Sequence, residues 1–180
     1  MHLIYSQFRT LEGIGILKLI LEENGFVEFK INRTAGKWEI QDTNNIGKPS
    51  FVLYTGTESA EQKEIIRNIF NNEWKKVPAN IVEEIKKHSP DNYHGEIIKI
   101  FMITAAGAEG ISLRNVRHVH ITEPYWHPVR IEQIIGRARR ICSHHKLPQD
   151  ERNVSVYIYL MTFSAEFIKE DKLSIELKLH

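Results

Sequence analysis

Residues 99–140 read KIFMITAAGAEGISLRNVRHVHITEPYWHPVRIEQIIGRARR, and this stretch decides the fold. Its start belongs to an almost continuous apolar run at 98–103, which is typical of a strand covered on both faces of a parallel sheet. Residues 118–122 predict a second strand, and a helix follows. The loop between the strands could offer backbone N–H groups to an anion at the carboxyl edge of the sheet. A tight turn explains its glycines equally well.

The predicted helix that ends at Arg140 has two different faces. With a step of about 100° per residue, one face is apolar and the other is polar. Two guanidinium groups about one helical turn apart suit a phosphate or a carboxylate. A helical glycine costs about 1 kcal/mol relative to alanine, so Gly136 suggests a close approach to the backbone. A solvated basic face remains the alternative for the helix alone. The apolar face holds Ile131, Ile134, Ile135 and Ala138, and the polar face holds Gln133, Arg137 and Arg140.

These segments carry a family resemblance. TAAGAEGISL at 104–113 and QIIGRARR at 133–140 resemble motifs V and VI of superfamily 2 helicases and translocases. Between them, EPYWHP at 123–128 is similar to the acidic-x-x-Trp-x-Pro segment of the Swi/Snf-type branch. RICSH at 140–144 and the segments after it resemble helicases of nucleocytoplasmic large DNA viruses, including relatives of poxvirus transcription factors. The resemblance implies a RecA-like fold, with a parallel sheet covered by helices on both faces.

Strand and helix patterns also alternate in the rest of the chain, which favours the same α/β architecture. Residues 154–163 are apolar on both alternating faces, which predicts a central strand. Residues 32–48 predict a hairpin or a flexible insertion. Residues 71–96 predict a solvated insertion, with a nucleic-acid wedge as the alternative. The predicted strands are 2–8, 26–31, 51–54, 98–103, 118–122 and 154–163, and the predicted helices are 11–24, 58–70, one starting at Pro78, one ending at Arg140 and one capped by Ser164.

Length and composition fit one domain over residues 1–180. The net charge of +1 gives no overall field for polyanions, so a nucleic-acid surface would have to be local, as between Arg130 and Arg152. The single cysteine excludes an internal disulfide and fits a reducing compartment. No apolar run approaches the ~20 residues that span a membrane, and no signal peptide is recognisable. We therefore expect an intracellular protein without a membrane partner, in the host cytoplasm or the virion if it is viral.

The chain lacks the sequence features that bind and hydrolyse ATP in this superfamily. A phosphate-binding loop reads Gly-x-x-x-x-Gly-Lys-Ser/Thr, but Lys follows Gly only at 36–37 and 47–48, without Ser or Thr next. No Asp-Glu pair follows a predicted strand to hold Mg²⁺. The sequence therefore predicts the second of two RecA-like domains. Such a domain would be inactive without an N-terminal domain that binds most of the ATP and Mg²⁺.

The resemblance assigns roles at the nucleotide. Arg137 and Arg140 match the arginine-finger positions of motif VI, and Gln133 matches its first polar position, next to the γ-phosphate. The motif V positions Gly110 and Ser112 would lie near the nucleotide, as would Gly136. Many relatives carry Asp or Asn at the serine position, which weakens the expectation of a ribose contact there.

The resemblance also implies a grip on nucleic acid, with DNA favoured and no sequence preference. Thr104 matches a position that touches a phosphate, and Gly107 lies in the same loop. Ser6 and Gln7 would lie at the carboxyl edge of the first strand, and Gly56 near the nucleic-acid track. A plain strand end at residues 6–8 and a plain helix cap after Gly56 are the structural alternatives.

The leading interpretation is therefore one domain of a nucleic-acid-dependent ATPase, either a helicase or a duplex translocase. A non-catalytic RecA-like scaffold or nucleic-acid-binding module of a viral transcription complex is the alternative, although a scaffold has no need of the polar helix face. No metal site is predicted, because Cys142 and the histidines at 118, 120, 144 and 145 lack a known ligand spacing. Trp126 is expected to pack rather than to stack on a base.

Overall fold

A parallel sheet of six strands forms the centre of the computed structural model, which describes residues 1–10, 12–108, 110–124 and 127–162, with residue 108 described by its backbone only. The strand order is β2-β5-β6-β1-β7-β8, and every pairing in this sheet is parallel. A separate antiparallel hairpin pairs β3 with β4. The strands are β1 (His2–Tyr5), β2 (Val27–Glu28), β3 (Ile31–Thr34), β4 (Lys37–Ile40), β5 (Ser50–Tyr54), β6 (Ile100–Ile103), β7 (His118–Ile121) and β8 (Ser155–Ile158).

Helices cover both faces of the sheet, as the sequence predicted. Successive strand residues point to opposite faces, so Phe51 and Met102 pack with the first helix while Val52 and Phe101 join the larger core beneath the other helices. Within the described ranges, no helix has the length and apolar content needed to cross a membrane. The helices are α1 (Ile14–Glu23), α2 (Ala60–Phe70), α3 (Ala79–Lys86), α4 (Ala105–Ala108) and α5 (Pro128–Ala138).

Helix α2 follows directly from its local sequence. The Ser59 hydroxyl accepts a hydrogen bond from the Gln62 N–H at 3.1 Å, which satisfies one of the unpaired donors at the helix start. The four residues predicted to face inward are buried, which confirms the predicted apolar face; they are Ile65, Ile66, Ile69 and Phe70.

The two polar insertions differ from one another. Residues 31–40 form the β3–β4 hairpin, which confirms one of the two predicted alternatives. The segment 71–96 is partly exposed, and the apolar side of its short helix packs against the core. Ile81 and Ile85 of α3 are buried, and the buried Asn92 side chain accepts from the N–H groups of Ile97 and Ile98.

The end of the chain also differs from the prediction. In the sheet that the structure describes, β8 is an edge strand, and all four of its residues are exposed. An apolar pattern on both faces predicted a central strand. An edge strand whose faces are covered by other elements has the same pattern, so the pattern does not fix the strand's position. Helix α5 ends at Ala138, so Arg140 lies beyond the helix rather than on it. The predicted helix capped by Ser164 lies outside the described residues.

Candidate nucleotide and nucleic-acid interface

The loops after four neighbouring strands meet at the carboxyl edge of the sheet. The loop after β1 contacts the loop after β7, because the Gln7 backbone N–H donates to Glu123 Oε2 at 3.1 Å. The loop after β5 contacts the loop after β6, because Thr104 Oγ1 donates to the Thr55 carbonyl oxygen at 3.1 Å. The structure thus brings the predicted nucleic-acid positions to one edge.

Two glycines of this edge are required by close packing. Gly56 has φ of +98°, and a Cβ there would lie 3.1 Å from the Ala106 Cβ. A Cβ at Gly107 would overlap the Tyr54 carbonyl oxygen. Larger residues would therefore separate the loops after β5 and β6. These two predicted positions have a structural reason that is independent of any ligand.

Two of the predicted contact residues already form hydrogen bonds inside the protein. The Ser6 side chain is buried, and its hydroxyl donates to the Phe8 carbonyl at 3.0 Å. Thr104 is also buried, with its hydroxyl bonded to the loop after β5. Both side chains therefore shape the loops. The exposed groups beside them belong to Phe8, Arg9 and Gly56, and the arginine in particular would meet a phosphate more readily than the buried hydroxyls.

Glu58 holds the loop after β5 in place. Its carboxylate accepts hydrogen bonds from the backbone N–H groups of Thr55 at 3.1 Å and Gly56 at 3.0 Å, and from the Thr55 hydroxyl at 3.0 Å. Burial acts to raise the pKa of Glu58. Hydrogen bonds from its own backbone, Gly56 and Thr55 outweigh burial and lower that pKa below the usual value. The carboxylate is thus ionised at neutral pH. Sequence reasoning missed this residue, although a Glu three positions after a loop Thr could have suggested a carboxylate clamp.

Asn71, at the end of α2, ties this helix to the predicted motif V segment. Its side-chain Nδ2 donates to the Ser112 carbonyl at 2.9 Å, and its Oδ1 accepts from the Arg114 N–H at 2.8 Å. In the same segment, the Leu113 N–H donates to the Arg137 carbonyl at 3.1 Å. The motif V segment is therefore held between α2 and α5. The importance of Asn71 was not visible in the sequence, because its partners are backbone groups more than 40 residues away.

The predicted nucleotide-contacting side chains lie on and just beyond α5. Gln133 and Arg140 are exposed, and Arg137 is half-buried. Arg137 Nε is buried and has no hydrogen-bond partner among the described residues. A Cβ at Gly136 would meet nothing within 4 Å, so space is open there. These donors and this space fit an anionic group such as a triphosphate.

The motif V positions have different exposures. Gly110 is exposed with φ of +68°, and no atom lies within 4 Å of where its Cβ would be. Ser112 is half-buried, and its carbonyl is used by Asn71. The neighbouring position 109 and the aromatic residues Tyr125 and Trp126 lie outside the described residues, so the prediction for the tryptophan stays a prediction.

Three histidines lie together on the α1 face of the sheet, opposite the face that α5 covers. The rings of His2 and His118 stack with centroids 4.6 Å apart, and His2 Nδ1 lies 3.1 Å from His120 Nε2. Burial, the neighbouring N-terminal amine, the other two histidines and Lys99 lower the pKa of His2 to about 4. Across the described ranges, no group of three or more His, Cys, Asp or Glu residues is arranged to hold a metal ion.

Residues 4–142 match the family described as the helicase conserved C-terminal domain. A protein of Acanthamoeba polyphaga mimivirus that is named as an ATP-dependent RNA helicase is 33% identical over 157 residues, which are 87% of this chain and 22% of that protein. A termination factor NPH-I homolog of African swine fever virus is 36% identical over 110 residues, which are 61% of this chain and 13% of that protein. The chain thus spans less than a quarter of either relative.

The crystal structure of the C-terminal part of the Fun30 ATPase domain resembles this chain with a TM-score of 0.55 and 17% identity, covering 97% of this chain and 41% of that chain. At this identity the likeness shows the fold alone. It confirms, with the parallel sheet, the RecA-like fold that the motifs predicted. The family match and the viral relatives confirm the predicted resemblance to viral helicases.

Proposed function

Because the chain belongs to the helicase conserved C-terminal domain family, we propose that it is the second motor domain of a nucleic-acid-dependent ATPase, either a helicase or a translocase. It would supply arginine fingers and contacts to the nucleic-acid backbone. It would be inactive without an N-terminal domain that carries the phosphate-binding loop and the acidic motif. The intracellular location expected from the sequence, in host cytoplasm or virion, is part of this proposal.

The observation that carries the proposal is a group of polar side chains on and just beyond α5 that have no partner within the described part of the chain. Within the described part of the chain, the guanidinium groups of Arg137 and Arg140 form no ion pair or hydrogen bond, and neither does the Gln133 side chain. Neither arginine contributes evidently to folding, and the buried Nε of Arg137 has no partner among the described residues. In this proposal the two arginines receive the negative charge of a bound nucleotide.

At the nucleotide, Arg137, Arg140 and Gln133 would face the γ-phosphate of an ATP held mainly by the N-terminal domain. ATP with Mg²⁺ would supply the phosphoryl group, and the arginines would stabilise the charge that develops on its oxygens. Gly110, Ser112 and Gly136 would line the same space. The Leu113–Arg137 backbone hydrogen bond would then connect movements of the motif V segment to this face.

The carboxyl edge would grip nucleic acid through the loops that hold Gln7, Gly56, Thr104 and Gly107, with Ser6 shaping the first of them. Contacts made to the phosphate backbone carry no base sequence, so binding should be sequence-tolerant and salt-sensitive. ATP would bridge the two domains and hydrolysis would release the bridge, so that the grip alternates along the strand. DNA remains our favoured substrate, although three mimivirus relatives are named as RNA helicases.

The test is ATP hydrolysis by the two-domain protein that contains this chain, with and without single- and double-stranded DNA or RNA. Arg140→Ala should lower stimulated turnover by about 10³- to 10⁵-fold while ATP binding is retained. Arg139→Ala, one residue away and also exposed, is the matched control and should change turnover little. The nucleic acid that stimulates best separates a strand-separating helicase from a duplex translocase. Unchanged turnover in Arg140→Ala would overturn the arginine-finger assignment and favour the scaffold alternative.

A further inference from the structure

Arg140 lies in a short loop that helix geometry does not hold. Helix α5 ends at Ala138, and the Arg139 N–H still donates to the Ile135 carbonyl at 2.9 Å. Three residues later, Cys142 adopts a left-handed backbone with φ of 61°, which turns the chain sharply. Because a finger must be placed within a fraction of an ångström to act, something beyond the helix has to fix this loop.

Two buried side chains follow the turn and fix its far end. Ser143 is 6% exposed and His144 is 9% exposed, although both are polar. The Ser143 N–H donates to the Arg140 carbonyl at 3.1 Å, and the Asn115 N–H donates to the Ser143 carbonyl at 3.1 Å. The loop is therefore anchored to the segment that leads into β7.

The His144 ring bridges this loop and the same segment. Its Nε2 lies 2.7 Å from the Val116 carbonyl oxygen, and its Nδ1 lies 2.7 Å from Ser143 Oγ. A carbonyl only accepts, so Nε2 carries the proton and donates. Nδ1 forms the second hydrogen bond of the ring with the Ser143 hydroxyl, which also lies 3.3 Å from the Ala138 carbonyl oxygen. Both ring nitrogens are used, which fixes the tautomer and the ring orientation.

We propose that His144 is a positioning residue for Arg140: it fixes the loop after α5 to the Val116 backbone and so sets where the Arg140 guanidinium stands. This inference rests on the proposed arginine-finger function. His144 itself would touch neither nucleotide nor nucleic acid. Its effect would therefore pass through Arg140 alone, which separates it from a residue that merely contributes to folding.

The test is a double-mutant cycle in the two-domain protein, measured by single-turnover ATP hydrolysis in the presence of nucleic acid. His144→Ala should lower the hydrolysis rate by about 10- to 100-fold, with the KM for ATP changed much less. His144→Gln keeps a donor for the Val116 carbonyl and should recover part of that loss. It also serves as the second variant if His144→Ala folds poorly. His88→Ala, at an exposed histidine just after α3, is the matched control and should leave the rate unchanged.

Non-additivity decides between positioning and folding. In an Arg140→Ala background, His144→Ala should cause almost no further loss of rate, because the group that it positions is gone. The same loss in both backgrounds, or no loss in either histidine variant while Arg140→Ala is strongly impaired, would overturn the inference and leave the proposed function standing. A normal rate in Arg140→Ala itself would overturn both.

Discussion

The carboxyl-edge loops and the polar face of α5 differ in whether their polar side chains have hydrogen-bond partners inside the protein. In the loops, Glu58 and Thr104 form hydrogen bonds with nearby backbone groups, and Asn71 does the same at the end of α2. On and beyond α5, the side chains of Gln133, Arg137 and Arg140 have no hydrogen-bond or ion-pair partner within the described part of the chain. Polar groups that are satisfied inside the protein hold its shape, whereas the proposed function assigns a ligand to the unpartnered ones. Substitutions in the first region should therefore lower stability, and substitutions in the second should lower activity.

The largest expected effect is on Arg137. Arg137→Ala should reduce nucleic-acid-stimulated ATP hydrolysis by the two-domain protein by about 10³- to 10⁵-fold, because charge on the transferred group loses a stabilising partner. The melting temperature of the chain should change little, since no described residue pairs with that guanidinium.

Arg117→Ala is the matched control for this experiment. Arg117 Nε is also buried without a partner, but its terminal nitrogens contact Glu151 at 3.6 Å and Asn153 at 3.3 Å. Losing these part-exposed contacts should cost at most about 1 kcal/mol of stability and leave the rate intact. If the two arginine variants lose activity equally, unpartnered polar groups are not a guide to function here.

The two regions also differ in how far sequence could predict them. The α5 face follows from helical spacing, because Ile134 and Ala138 on one side fix Gln133 and Arg137 on the other. The loop contacts depend on partners distant along the chain, such as Asn71 with Ser112 and Gln7 with Glu123, which spacing does not encode. The helix end was misplaced for the same reason: the turn at Cys142 is held by Ser143 and His144, whose partners lie before β7.

Within the sheet, apolar runs predicted where strands occur, but not which strands pair with one another. β6 is a run of four buried residues at the centre of the sheet. β8 has a similar run, yet it lies at the edge of the described sheet and is exposed. A strand's own sequence reports whether its two faces are apolar, and says nothing of which strands pair with it. Only the topology supplies the order.

The second prediction concerns Asn71, where stability should change most. Asn71→Ala leaves the Ser112 carbonyl and the Arg114 N–H without their partner, so the free energy of unfolding should fall by about 1–3 kcal/mol. Urea unfolding of the 180-residue chain measures this. Asn24→Ala is the matched control, since Asn24 also follows a helix, but its exposed amide bonds only to the Ile20 carbonyl among the described residues. An equal loss of unfolding free energy in the two variants would contradict a special role for the hydrogen bonds that join α2 to the motif V segment.

The third prediction uses the lowered pKa of Glu58. A carboxyl whose folded pKa is lowered stabilises the fold above its unfolded pKa of about 4.5, and that contribution is lost as the pH falls through the lower folded value. Glu58→Gln should therefore reduce the free energy of unfolding by about 1–2 kcal/mol at pH 7. The difference from the unaltered chain should shrink steadily below pH ~4. Glu61→Gln, on the exposed face of α2, is the control, and a pH-independent difference for Glu58→Gln would show that the charge itself is not what holds the loop.

The last prediction concerns histidine rings that contact one another rather than the backbone. The pKa of His2 is lowered from 6.5 to about 4, so the folded state disfavours the proton that the unfolded state accepts. Stability should therefore fall as the pH drops from about 6.5 towards 4. His2→Phe keeps a ring in the stack but removes the titration, so its melting temperature should fall less over this pH range than that of the unaltered chain. The exposed His88→Phe should keep the full pH dependence. A His2→Phe profile that matches the unaltered chain would show that the acid sensitivity comes from groups other than His2.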